Sequence, residues 1–206
     1  MHNASINYFE EIASVCGLLE SSAKEFNALL GAYGASGLER AGSAAKKARD
    51  GVRSIRRSLE AALYHDFITP IEREDVISIV SAAEGVSCGI VYVLSEMRAW
   101  GITKSRGEAI EFSDAARRSL AVISRSAQNL EKFRKDHGVL KSAREASGIA
   151  KTSERLYFEA MSALIRGGAN TNELLAWSRI YDRMDEMLCG CASLADAIGA
   201  AILNNI

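Results

Sequence analysis

Apolar residues in this chain recur at alternating steps of three and four along most of its length. One series is Phe9, Ile12, Cys16, Leu19, Ala23, Phe26 and Leu30. A second is Leu38, Ala41, Ala45, Ala48, Val52, Ile55, Leu59 and Ala62, and a third runs from Leu174 through Trp177, Tyr181, Met184, Leu188, Cys191, Ala195 and Ile198 to Ile202. Residues so spaced fall on one stripe of an α-helix, because 3.6 residues make a turn. Sustained over several turns, the stripe must be covered by another helix. Only one proline, Pro70, occurs in 206 residues, against an average usage of about 5%, so long helices can run unbroken. Alternating β-branched runs bounded by turn residues are absent, and no strand is predicted.

The breaks between periodic segments are few. Gly34 to Gly37 separates the first two helices. The second ends in Phe67-Ile68-Thr69-Pro70, since proline removes a backbone donor and its predecessor avoids helical angles. Thr69 is the expected N-cap of helix three, with Pro70 in its first turn. Helix three is predicted over about 70–100, and Gly101 to Gly107 forms the midpoint loop. Helix four is predicted over about 108–136, with Phe112, Ala116, Leu120, Ile123, Ala127 and Leu130 inward, and ends at His137-Gly138. Helix five is predicted over about 139–166, ending at Gly167-Gly168, and Asn170 or Thr171 caps helix six. The expectation is an all-α chain of six long helices, forming two antiparallel three-helix bundles. Residues 1–100 hold the first unit and 108–206 the second, together one domain over 1–206. Three helices on either side of a midpoint loop suggest a duplication, although identity between the halves is weak.

Composition excludes several functions. Twenty-five Lys and Arg against twenty-six Asp and Glu leave a net charge of −1, whereas a general nucleic-acid binder is usually distinctly basic. Four cysteines (Cys16, Cys88, Cys189, Cys191) and three histidines (His2, His65, His137) show no Cys-x-x-Cys spacing, so a zinc ribbon or finger is not expected. The cysteines are expected as buried, reduced thiols in a cytosolic protein. The opening residues lack a basic start and an apolar run, so no signal peptide is expected. The most apolar stretch, Val76 to Leu94, is interrupted by Glu84. Neither side of Glu84 reaches the roughly 18 apolar residues of a spanning helix, and this segment is expected at the centre of a bundle.

Lys46, Lys47, Arg49, Arg53, Arg56 and Arg57 make helix two strongly basic. Such a run either faces solvent, relieved by Asp50, Glu60 and neighbouring helices, or forms an anion or partner surface at Arg49, Arg53, Arg56 and Arg57. The solvated face is the plainer reading. The same choice applies to Arg117, Arg118, Arg125, Lys132, Arg134 and Lys135. The glycine-rich spots lack the Gly-Lys-Ser/Thr ending of a phosphate loop, and the histidines lie too far apart to suggest a triad. No paired carboxylates are placed for acid–base work, so no enzyme activity is predicted.

Two segments carry a family resemblance. Phe67-Ile68-Thr69-Pro70-Ile71-Glu72-Arg73-Glu74-Asp75-Val76 resembles the FITP-x-(D/E)-R-E-D-(I/V) signature of PhoU-like proteins, small regulators often encoded beside Pit-type inorganic phosphate transporters. Trp177-Ser178-Arg179-Ile180-Tyr181-Asp182-Arg183-Met184-Asp185-Glu186 resembles that family's W-x-x-I-Y-(E/D)-x-(L/M)-E-E segment, continued by Cys191 and Ala195 to Ile198. Tyr8-Phe9-Glu10 matches its aromatic opening. The resemblance covers essentially the whole chain. It implies a PhoU-like fold, a homo-oligomer, and a non-enzymatic role in phosphate transport. Action would be through protein contacts in the cytoplasm, with a Pit-type transporter or signalling partner at the inner membrane face.

PhoU-like proteins often carry E/D-x-x-x-D motifs that hold iron or zinc clusters on the bundle surface. Residues four apart share a helix face, so several carboxylates can gather round one cation. Counted from the two anchors, the equivalent positions are Arg49 and Arg53 on helix two, and Glu84, Gly85 and Cys88 on helix three. On helix five they are Ala150 and Glu154, and on helix six Asp185, Cys189 and Ala192. Every motif has lost at least one acid, and helix two has exchanged both for arginine. The expectation is that the family's cluster is lost and no cofactor is bound. Glu154 and Asp185 remain as weak candidate metal ligands, with Cys189 for a softer ion. Arg49 or Arg53 is expected to pair with Glu84, replacing a metal bridge between helices. Alternative readings are a metal-binding protein using that weak second-bundle site, and a scaffold bundle that has lost phosphate regulation.

Overall fold

The computed structural model describes residues 6–206. His2 and the first residues of the opening segment lie outside the described residues. Among the described residues seven α-helices follow one another: α1 (Tyr8–Gly31), α2 (Ala35–His65), α3 (Arg73–Ala99), α4 (Gly107–Gln128), α5 (Gly138–Ala150), α6 (Ser153–Arg166) and α7 (Thr171–Asn204). A short 3₁₀ turn, Leu130–Lys132, follows α4. No strand occurs among the described residues. Helices α5 and α6 together occupy the place of the single predicted fifth helix, so the described residues form six rods.

The apolar stripes are the core. Ile12, Cys16, Leu19, Ala23, Phe26 and Leu30 are fully buried on α1, as are Phe112, Ala116, Leu120 and Ile123 on α4. On α2 the inward positions Ala41, Ala45 and Ala48 are small, which lets α1 and α3 approach. Helices α1, α2 and α3 pack together, and so do α4, α5, α6 and α7. The units join most extensively where α3 meets α7, with α1 against α4 beside them. Buried residues from both units form one continuous hydrophobic cluster.

Several boundaries differ from the sequence reading, for local reasons. Helix α2 begins at Ala35, with extended Gly34 as its N-cap, so Gly37 lies inside the helix. Helix α3 begins at Arg73 rather than at Pro70, with Glu72 as N-cap. The Glu72 N–H donates to Asn205 Oδ1 at 3.0 Å, and Ile71 is buried; the loop is thus drawn onto the end of α7 before the helix starts. Helix α4 stops at Gln128, not near 136, where the chain tightens into the 3₁₀ turn. The predicted fifth helix breaks at Lys151–Thr152, where the Thr152 hydroxyl donates to the Ile149 carbonyl at 2.8 Å, a local bond that competes with the helical ladder. Asn170 caps α7 in a reciprocal capping box with Glu173.

Helices α3 and α7 are long and apolar enough, by composition, to cross a membrane, yet half of each apolar stretch is buried inside the fold. Their apolarity follows from their position, because each packs against the other and against its own unit.

Candidate functional site

The α3–α7 crossing is built on two glycines. A Cβ on Gly89 would lie 3.2 Å from the Met187 Cα, and one on Gly190 would lie 3.4 Å from Val86 Cγ2. Residue numbers rise along one helix as they fall along the other, so the crossing is antiparallel. It is also internally symmetric: Val86 and Gly89 correspond to Met187 and Gly190 after a shift of 101 residues. The same shift relates Glu84 to Asp185 and Cys88 to Cys189. Each half therefore carries an acid, three residues, a cysteine and a glycine at the centre of the molecule. The acid and cysteine, four apart, share one helix face.

In the first unit this face is occupied by arginine. Arg53 Nε donates to Glu84 Oε1 at 2.8 Å, and Arg56 Nη1 donates to Glu84 Oε2 at 2.8 Å. Arg53 Nη2 also reaches Cys88 Sγ at 3.6 Å. Arg56 Nε donates to Glu60 Oε1 at 2.7 Å. Hydrogen bonds from Arg53 and Arg56 hold the Glu84 carboxyl below the usual carboxylate range, against the opposing effect of partial burial. The sequence offered Arg49 or Arg53 as the partner of Glu84. The geometry selects Arg53 and adds Arg56, whereas Arg49 turns to Asp50 at 3.3 Å. Arg57 has no carboxylate within salt-bridge distance among the described residues.

In the second unit serine takes the place that arginine holds in the first. Ser153 donates to Asp185 and lies 3.7 Å from Cys189 Sγ, so one side chain from α6 touches both the acid and the cysteine. Next to it, Tyr157 Oη donates to Asp182 Oδ1 at 2.9 Å, and that bond, with some burial, raises the phenol pKa. Asp185 is half-buried, while Glu154 and Cys189 are exposed. Among the described residues no group of three or more His, Cys, Asp or Glu gathers as a metal site. An iron or zinc cluster does not fit the first site, where two guanidinium groups occupy the one carboxylate. The second brings together only the Asp185 carboxylate and the Cys189 thiol beside Ser153, short of the ligand set such a cluster needs.

All four cysteines are free. The expectation that all are buried holds for Cys16 and Cys191, whose thiols burial pushes up to about 12. It fails for Cys88, which is half-buried, and Cys189, which is exposed. Both belong to the outward face of the crossing, which the stripe analysis did not mark because it follows the inward face.

The signature segment divides into a latch and an exposed tip. Asp75 is 7% exposed and accepts from Asn204 Nδ2 at 3.0 Å and Asn205 Nδ2 at 2.7 Å. Arg73 donates to the Asp66 carbonyl, and Tyr8 Oη donates to the Asp66 carboxylate at 2.8 Å. These bonds tie the start of α3 to α1 and to the end of α7. In contrast Phe67 is 95% exposed and Ile68 83%, with Tyr64 exposed beside them. In the second signature segment Trp177, Ile180, Tyr181 and Met184 are buried, and Tyr181 Oη donates to Glu108 Oε2 at 3.3 Å. In the other basic run Arg117 and Arg118 share Asp114, at 2.6 and 2.9 Å. Arg134 stacks on Phe133 and donates to the Asn205 carbonyl at 3.1 Å.

No protein-family model matches the chain. It is 26% identical over 143 residues to the UPF0111 protein YkaA of Bacillus subtilis (strain 168), covering 68% of this chain and 67% of that protein. Two crystal structures from Shewanella oneidensis MR-1 share the fold. One is described as a PhoU-like phosphate regulatory protein, with TM-score 0.73, 10% identity, and coverage of 96% of this chain and 99% of that one. The other is described as a PhoU-like protein, with TM-score 0.73, 11% identity and the same coverage. The chain therefore resembles the PhoU-like proteins in its two sequence signatures and has their all-α fold over nearly its whole length.

Proposed function

We propose that this chain is a non-enzymatic regulator of inorganic phosphate transport, working in the cytoplasm as a homo-oligomer through contact with a Pit-type transporter at the inner membrane face. The observation that carries this reading is the exposure of Phe67 (95%) and Ile68 (83%) within the block that resembles the PhoU-like signature. Neither is needed for the core. Burying such a side chain on a partner contributes about 1.5–3 kcal/mol. The fold likeness to a protein described as a PhoU-like phosphate regulatory protein supports phosphate regulation as the process. The non-enzymatic part is supported by the engagement of the titratable groups at the crossing with one another.

Deleting the gene and following uptake of labelled inorganic phosphate tests the reading. Uptake should change, and the wild-type gene should restore it. A Phe67→Ser/Ile68→Ser variant with unchanged thermal stability should fail to restore it. Uptake unaltered by the deletion would contradict the proposal and favour a scaffold that has lost phosphate regulation.

A further inference from the structure

A cavity lies away from the crossing, between the first half of α2 and the end of α3. Its volume is about 710 Å³, within the range of roughly 300–1,000 Å³ usual for small-molecule sites. It exists because facing positions are small: α2 places Gly42 and Ser43 there, and α3 places Ser95 and Ala99. The floor is apolar, made by Leu38, Val91 and Leu94.

The rim is cationic. Arg40, Lys46 and Arg98 line it, against one carboxylate, Glu39. Arg40 is held by Glu25 at 3.1 Å, but neither Lys46 nor Arg98 has a carboxylate within salt-bridge distance among the described residues. Arg98 Nη2 lies 3.8 Å from where a Gly42 Cβ would stand, so its guanidinium lies across the groove. Lys46 is seven residues from Arg53 on α2, about 10 Å along the helix axis, so the groove is separate from the Glu84 ion pairs.

We propose that this groove binds a nucleoside polyphosphate. The unpaired guanidinium and ammonium hold the phosphate oxygens, which Arg accepts in a bidentate manner. Leu38, Val91 and Leu94 receive the base and sugar. An inorganic anion would use the rim and leave this floor unused.

Calorimetric titration of the full chain with ATP, tripolyphosphate and adenosine tests the assignment. ATP should bind saturably, at least about tenfold more tightly than tripolyphosphate, with adenosine weaker still, and binding should weaken with added salt. Arg98→Gln and Lys46→Gln should each weaken ATP binding by about tenfold. Gly42→Leu should block it, and Arg166→Gln, the same charge loss at the exposed end of α6 outside the groove, should leave it unchanged. Absence of saturable ATP binding would overturn the proposal. So would equal affinity for tripolyphosphate, or an Arg98→Gln/Lys46→Gln protein of unchanged melting temperature that binds ATP normally.

Discussion

Gly89 and Gly190 stand at equivalent places in the α3–α7 crossing, each against a residue three positions before the other: Gly89 on Met187, Gly190 on Val86. The two units of the chain meet at this point, and the space is set by the missing side chains. Gly89→Val should therefore push the helices apart and cost about 1–3 kcal/mol. Gly85, one turn earlier on α3, has no atom within 4 Å of a built Cβ. Gly85→Ala should stabilise by about 0.5–1 kcal/mol, because alanine loses less backbone freedom in a helix. Denaturant melts of both variants check the pair, and a Gly89→Val protein as stable as the wild type would show that the crossing tolerates a wider spacing.

Glu84 links stability to pH. Its carboxyl is held below the ordinary value of 4.5 by Arg53 and Arg56. A depressed acid contributes stability that is complete above the unfolded-state value and lost as pH falls through the folded-state value. Glu84→Gln should lower the melting temperature by about 2 °C at neutral pH. The difference from wild type should shrink below about pH 4.5. Scanning calorimetry across this range reads it directly.

The Asp75 latch is a buried acceptor for two amides. Asp75→Ala leaves Asn204 and Asn205 without their carboxylate and should cost about 1–3 kcal/mol. Amide hydrogen exchange should speed up at the start of α3 and the end of α7, while the far end of the bundle stays protected. Uniform loss of protection would place the effect elsewhere.

Most of the fold was legible because the stripes are long: Phe26, Leu120, Met184 and Ile198 are buried where a 3,4 spacing puts them. The helix ends were less so. The start of α3 depends on Asn205, over a hundred residues away, which no local cap signal carries. The break at Lys151–Thr152 turns on a hydroxyl bond in a stretch whose apolar pattern continues. At the crossing, the loss of acids and the pairing of Arg49 or Arg53 with Glu84 followed from the family resemblance, whereas the choice of Arg53 and the addition of Arg56 needed the packing. The matching Glu84/Cys88/Gly89 and Asp185/Cys189/Gly190 runs were the available signal for the internal symmetry, and only packing shows that their glycines meet. The role of Ser153 carried no sequence signal, since one serine on a polar helix face looks like any other.

At the crossing both acids are engaged within the protein, Glu84 by Arg53 and Arg56 in the first unit and Asp185 by Ser153 in the second. Converting Arg53 and Arg56 to Glu should give the first site an affinity for cations, with iron or zinc retained above the wild-type level after dialysis. The most direct test is elemental analysis of the wild-type protein purified without chelator. The account predicts iron and zinc well below one equivalent per chain. One or more tightly held equivalents, lost on replacing Glu84 or Asp185, would contradict it.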